Sequence, residues 1–379
     1  MKIAVNTREL LKGRMEGIGR YIYETTRQMV LDHPDDTFYF FFDRPYDESF
    51  LFADNVIPLV LHPQARHPIL WYLWFEWSVP YYLNKYNIDV FYSGDTYASM
   101  RTSTKTLIVC HDIAYKHYPK HLRSSHLRYY RKNFPSFHRR ADHIVAVSEY
   151  TRQDIIDTYG LDPNKVTVGH NATPKGFGPL DAARQQEVRD RLSNGLPYFI
   201  YVGSLHPRKN VVNLIKAFDQ FKQGGSNHKL VLVGRMAWKN EELQQVYQSI
   251  KCAEDIILTG HISNTDLPLY LASAEALTYV SVFEGFGIPI LEGMSSGTPV
   301  VTSNVSSMPE VAGDAALLID PHDPTSIRNG MDTIVSDLEL RKELISKGAE
   351  RIHQFSWKKT ADHIYEMLQK IARLKSESE

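Results

Sequence analysis

A chain of 379 residues is longer than one ordinary hydrophobic core serves, so two domains are expected. Its 43% hydrophobic and 23% charged residues are the balance of a globular protein, and a net charge of −1 supplies no whole-molecule field for nucleic acid. Cys110 and Cys252, the only cysteines, can build neither a disulfide framework nor a zinc cluster, which fits a reducing compartment.

The chain opens MKIAVNTREL, a strand-like start without a signal-peptide core, and no uncharged apolar run reaches ~18 residues. The expectation is a cytoplasmic protein, able to lie peripherally on the inner face of a membrane. Short, nearly continuous apolar runs follow at Lys2 to Val5, Thr37 to Phe42, near Val90, at Thr106 to Cys110, His143 to Ser148 and Val166 to Gly169. Such runs are the pattern of parallel strands covered on both faces. Helical stretches between them, such as Gly19 to Leu31 and Glu149 to Tyr159, complete a doubly wound α/β alternation. Around NATPKGFGP the pattern breaks, then restarts at Tyr198 to Gly203, Lys229 to Gly234, Ile256 to Gly260, Glu275 to Val280 and Thr298 to Ser303. The expected organisation is a domain at 1–173, a linker at 174–196 with a polar helix near Ala182 to Leu192, and a second domain at 197–355. An amphipathic segment at 356–379 is expected to pack back on the first domain and to fray at its charged end. Two Rossmann-like domains facing across a cleft are the expected architecture.

Ligands of such sheets bind beyond the carboxyl ends of the strands, so the loops there come first. Glu16-Gly17-Ile18-Gly19-Arg20 precedes a helix, and its glycines would let backbone N–H groups approach an anion. It lacks the third glycine of a dinucleotide fingerprint. His111 and Asp112 follow a buried strand directly; a cleft-facing His that meets a substrate hydroxyl and a structural loop cap both stay open. Arg208 and Lys209 precede the helix expected at Val212 to Phe221, an odd place for cations unless an anion binds there. In FEGFGIPILEGM, Pro289 suits a first helical turn, Gly285 and Gly287 allow a sharp approach, and Glu284 and Glu292 can face one elongated ligand from different ends. A nucleotide sugar has that shape, with hydroxyls at both ends and negative charge in the middle.

At these residues the sequence resembles the family 4 retaining glycosyltransferases of the GT-B fold. EGFGIPILEGMSSGTPVVTS carries the E-x7-E pair as Glu284 and Glu292, and GHISNTDLPLYLASAEAL, YVGSLHPRKN, HDIAYKHYP and the GIGR loop extend the likeness in order. HDIAYKHYP and GIGR are similar to the branch with bacterial O-antigen and capsule mannosyltransferases. The resemblance implies that Glu292 binds the donor ribose and Glu284 contacts the donor sugar near the reacting centre. It implies that Lys209 binds phosphate, and that backbone N–H groups at Phe286, Gly287 and Ile288 hold the diphosphate or sugar. Gly17 and Gly19 would cover the diphosphate, His111 would touch the donor sugar, and Gly260, His261 and Ile262 with Arg235 would frame the base. Ser204 stands where many members carry Arg, so Arg208 is expected to replace that contact; Val280 stands where Pro is usual. The implied reaction moves a hexose from a nucleotide diphosphate sugar, GDP-mannose favoured over UDP-hexoses, to a glycan or lipid-linked acceptor in surface polysaccharide synthesis. It retains the anomeric configuration, by front-face attack in which the leaving phosphate takes the acceptor's proton. No D-x-D or other metal-ligand cluster appears, so no metal and no cofactor beyond the donor are expected. An epimerase of the same fold and a non-catalytic nucleotide-sugar-binding subunit are the competing readings.

Finally, residues Lys116 to Arg140 hold eight Lys or Arg, no Asp or Glu, and interleaved aromatics, downstream of the aromatic run Trp71 to Trp77. This reads as a basic amphipathic helix that contacts an anionic membrane surface, or as a helix whose aromatics are core.

Overall fold

The computed structural model describes residues 1–13, 15, 17–235 and 241–376. Glu16 of the first glycine loop and the last three residues of the charged tail lie outside them. Contacts divide the chain into two compact units, Met1–Asn171 together with the chain from Ser356 onward, and Ala172–Phe355.

The first unit is built on seven parallel strands: β1 (Lys2–Asn6), β2 (Thr37–Phe42), β3 (Val56–Val60), β4 (Val90–Ser93), β5 (Lys105–Cys110), β6 (His143–Ala146) and β7 (Val166–Val168). Their order is β3-β2-β1-β4-β5-β6-β7. Strand order reverses between β1 and β4, and β4 and β6 are buried at every residue, as continuous apolar strands of a twice-covered sheet must be. β3 escapes the sequence reading because Pro58 interrupts it; at the sheet edge a missing N–H leaves no ladder bond unmade. The helix Glu149–Tyr159 starts where Ser148 Oγ accepts from Thr151 N and stops at Gly160, whose φ of +62° ends helical geometry. The last helix, Trp357–Ser376, lies against the helix Gly17–Asp32, with the Trp357 ring edge-on to Tyr21 at 5.7 Å and Lys358 3.1 Å from Asp32.

The second unit repeats the plan with six parallel strands: β8 (Tyr198–Val202), β9 (Lys229–Val233), β10 (Ile256–Gly260), β11 (Ala276–Tyr279), β12 (Val300–Ser303) and β13 (Leu317–Ile319). Their order is β10-β9-β8-β11-β12-β13, which puts the switch point between β8 and β11. A polar helix, Ala182–Ser193, precedes β8, opened by Asp181 accepting from Arg184 N and closed by Asn194 at φ +55°. Both units are thus doubly wound α/β sheets, each with a strand-order switch at its centre. Among the described residues no helix is long and apolar enough to cross a membrane.

Candidate active site

Three adjacent strands of the second unit end at or just before a glycine (Gly203 after β8, Gly234 after β9, Gly260 in β10), and the backbone holds each at positive φ. Gly203 donates to Val233 O and Gly234 donates to Gly260 O, both at 2.9 Å. A Cβ on Gly234, at φ +149°, would stand 1.8 Å from Gly203 O. The carboxyl ends of β8, β9 and β10 are therefore drawn together, and the three glycines add no side chain of their own where a flat ligand could lie. Arg235 is exposed and its carbonyl accepts from Leu205 N; Gly260 sits at φ +68°, followed by exposed His261 and half-buried Ile262.

Beyond Gly203 the chain makes a short 3₁₀ turn, Pro207–Lys209, before the helix Val211–Lys222. The basic pair thus sits on its own turn rather than in the helix's first turn, with Asn210 at φ +61° between the two. Asn210 fixes that break: its amide donates to Val280 O at 3.0 Å and Pro321 O at 2.6 Å. The turn aims Lys209 at the switch point. Lys209 Nζ donates to Glu284 Oε1 at 2.6 Å and to the Tyr279 hydroxyl at 2.9 Å, and Arg208 lies 4.0 Å from Glu284 Oε2.

Glu284 lies in the loop ahead of the helix Ile288–Ser295 and is only 6% exposed. Burial alone would push its carboxyl up, but Lys209 and then Arg208 more than offset this and hold it down to about 2. At neutral pH it is a buried carboxylate, and proton donation is not open to it. The loop that carries it is pinned by two serines that sequence reasoning left without a role. Ser307 Oγ donates to Glu284 O at 3.0 Å and Phe286 O at 2.9 Å, while Ser306 Oγ accepts from Glu284 N at 3.1 Å. Gly287, at φ +105°, then turns the chain into the helix Ile288–Ser295 with Pro289 in its first turn. Phe286, Gly287 and Ile288 therefore surround a helix N-terminus, the polarity that suits an anion. Glu292 is buried on the next turn of that helix.

In the first unit His111 follows β5 directly. Its Nε2 meets Gly94 O at 2.9 Å, and since a carbonyl only accepts, Nε2 carries the proton and Nδ1 is the ring's acceptor. Burial lowers its pKa, which keeps the ring neutral. Asp112 closes a turn just ahead of the helix Ala114–His117, its Oδ1 accepting from Ala114 N. The helix Gly17–Asp32 begins two residues earlier than expected, so Gly17 and Gly19 are helical, and a Cβ on Gly19 would come within 2.6 Å of Glu9 O. Nearby, a cluster invisible as a motif fills the ends of β1 and β4. Arg8 Nη2 donates to Asp95 Oδ2 at 2.9 Å, Asn6 bridges Ser93 and Asp95, and the guanidinium lies 4.6 Å from the Tyr97 ring centre.

The basic segment Lys116 to Arg140 divides into two short turns and the helix Ser124–Arg140. Its Tyr129, Phe134 and Phe137 are buried in the core with Trp71 and Trp74, so these rings face protein, while Arg128, Arg131, Lys132 and Arg139 are exposed. That removes the apolar face that membrane insertion by this helix requires.

Comparison with known proteins agrees with this layout. Residues 15–174 match the family described as Glycosyltransferase Family 4, and residues 184–351 match Glycosyl transferases group 1. The chain is 28% identical over 369 residues to O-antigen chain mannosyltransferase B of Escherichia coli, covering 94% of this chain and 96% of that protein. It is 27% identical over 297 residues to O-antigen chain mannosyltransferase RfbU of Salmonella typhimurium, covering 76% and 78% of the two. The crystal structure of HepE from Anabaena, in complex with UDP and glucose, is 19% identical and superposes with a TM-score of 0.75 over 98% of this chain and 100% of that one. With both halves matched in order and the two Rossmann-like sheets in place, the chain belongs to the family 4 glycosyltransferases and has their GT-B fold.

Proposed function

We propose that this glycosyltransferase moves a hexose, mannose in the first instance, from a nucleotide diphosphate sugar to a glycan or lipid-diphosphate-linked acceptor, with retention of configuration and without a metal or cofactor. Surface polysaccharide synthesis at the cytoplasmic face of a membrane is the setting that this chemistry fits. The observation that carries the proposal is the cluster of half-buried Lys209 and Arg208 on buried Glu284 at the switch point, beside the helix start at Gly287.

Breaking an anomeric C–O bond develops oxocarbenium character on the sugar and negative charge on the departing diphosphate. Lys209, Arg208 and the N–H groups of Phe286, Gly287 and Ile288 are proposed to meet that growing charge, each pre-aimed group contributing on the order of a few kcal/mol. Gly17 and Gly19 keep a proposed role toward the diphosphate. Glu284, held anionic by its two cations, orients Lys209 and offers a fixed negative charge to the sugar. Glu292 is proposed to take the ribose hydroxyls, and Arg235, Gly260, His261 and Ile262 the base. Neutral His111 is proposed to accept a sugar hydroxyl at Nδ1. GDP-mannose is favoured as donor because the two relatives named above are mannosyltransferases. The UDP bound by HepE supports the second reading, a UDP-hexose donor.

The test is thermal stabilisation by GDP, UDP and ADP in the presence of a chelator, where a ligand at 100 times its Kd adds ~2.7 kcal/mol. A shift with GDP alone, followed by mannosyl transfer with an unchanged anomeric signal, supports the proposal; a shift with UDP alone replaces the donor. Absence of any shift overturns the phosphate assignment. Release of nucleoside diphosphate only when acceptor is present separates a transferase from an epimerase or a binding subunit.

A further inference from the structure

Among the described residues twelve large hydrophobic side chains stand exposed, and half of them crowd one place. Ile69, Tyr72, Leu73, Trp77, Tyr81 and Met100 are 38–66% exposed, and all but Met100 belong to one helical run. That run joins Pro68–Leu73, a π turn at Trp74–Ser78 and Val79–Lys85. Its inner side, Trp71, Trp74, Phe75, Val79 and Leu83, is core. The outer side repeats an apolar residue every four positions at 69, 73, 77 and 81, so the run is hydrophobic on both faces. A surface helix of a protein that met only water would carry polar residues there.

The polar surroundings say what covers it. The run's single acid, Glu76, is buried, accepting from Met100 N at 3.0 Å, so no anion stands on the outer side. Cations do. The Arg101 guanidinium lies 4.3 Å from the Trp77 ring centre, and Arg66 and Lys85 are exposed at the two ends of the run. Trp71 packs at 5.3 Å on Tyr129 of the helix Ser124–Arg140, whose Arg123, Arg128, Arg131 and Lys132 neighbourhood is exposed and free of acids. Tryptophan and tyrosine, with apolar bodies and polar tips, favour the headgroup level of a bilayer, and a surrounding basic rim favours anionic lipid.

We propose that the outer side of Pro68–Lys85 with Met100 and Arg101 is a docking face for an anionic lipid bilayer, and that the helix Ser124–Arg140 contributes charge to it without inserting. The inference goes beyond the sugar chemistry, and its failure would leave nucleotide binding and transfer untouched.

The experiment is co-sedimentation of the full chain with phosphatidylcholine vesicles with and without phosphatidylglycerol, at low and moderate salt. The intact protein is expected to bind the anionic vesicles and to lose binding with added salt. W77S/Y81S is expected to bind about tenfold more weakly, and R128E/R131E to weaken binding mainly at low salt. Lipids brominated on the acyl chain are expected to quench fluorescence of the intact protein and to lose most of that quenching in W77F, a variant that keeps the ring. Thermal stabilisation by nucleoside diphosphate is followed in each variant to show that its fold is intact. No binding of the intact protein to anionic vesicles overturns the proposal. So does equal binding by W77S/Y81S, or a dimer that the same substitution dissociates while vesicles go unbound.

Discussion

Removing the amine of Lys209 puts the central cluster to a quantitative test. Glu284 and Lys209 have side chains only 8% and 15% exposed, so water screens their 2.6 Å contact weakly. A carboxyl moved from its usual 4.5 to about 2 has gained roughly 3 kcal/mol for its ionised form, after burial has taken its share. Lys209→Met deletes the nearer cation and leaves the carboxylate buried beside the weaker Arg208 contact. The expected loss is ~3 kcal/mol, within the range for breaking a buried pair from one side. Glu284→Gln strands the lysine and should lose a similar amount, whereas the double variant should lose less than the sum, with a coupling of ~2 kcal/mol. The pH dependence follows from the depressed carboxyl. The stabilisation is complete above the unfolded-state pKa near 4.5 and disappears as pH falls toward about 2. The gap between the wild type and Glu284→Gln should thus be flat from neutral pH to about 5 and close below it. Hydrogen exchange in β11 and the helix Ile288–Ser295 is the appropriate readout, because the chain has two compact units and one global midpoint would mix them. Additive single losses, or a gap that persists unchanged into acid, would refute the reasoning.

Three further outcomes follow from the backbone and the buried polar groups. Gly234→Ala should destabilise the second unit by at least ~3 kcal/mol, since its Cβ would stand 1.8 Å from Gly203 O, while Gly260→Ala, with nothing within 4 Å, should cost only about 1 kcal/mol for its positive φ; urea denaturation distinguishes them. Asn210→Leu forfeits the bonds to Val280 O and Pro321 O and the tolerance of φ +61°, and should cost ~2–3 kcal/mol and weaken nucleoside diphosphate binding through displacement of Lys209. Acid should loosen the helix Trp357–Ser376: Thr167 Oγ1 joins His143 Nε2 at 2.9 Å and His363 Nε2 at 2.8 Å, and burial lowers both, His143 to about 4, with Lys165 and Lys370 adding to the effect on His143 and Glu366 opposing it on His363. Because the unfolded histidines take protons first, that stability is full above pH ~6.5 and falls toward pH 4; hydrogen exchange that stays constant in this helix across the window would contradict it.

What could be read in the sequence, and what could not, divides along a physical line. Each strand-end loop was legible by itself, because a glycine at a strand end, a proline in a first helical turn and a basic pair before a helix are local demands of the backbone. The pairing of Lys209 with Glu284 was not, since it depends on β8 and β11 lying side by side across 75 residues of chain. For the same reason the burial of Glu284 has no local sign, since it is Lys209 and Arg208 that allow its carboxylate to be buried. Ser306 and Ser307 had no local signature at all; their hydroxyls matter because they reach the Phe283–Gly287 loop from the far side of β12. The basic helix Ser124–Arg140 shows the limit most clearly. Its amphipathic pattern states that one face is apolar, but an apolar face is satisfied equally by lipid or by protein, and Trp71, arriving from more than fifty residues upstream, decides for protein. The reverse holds for Pro68–Lys85. It is so uniformly apolar that no face stands out in the sequence, and only once its inner residues are spent on the core does the remainder show as an outward, acid-free stripe. A hydrophobic pattern therefore fixes how much of a helix must be covered, and packing between distant segments determines what is left over for a surface to use.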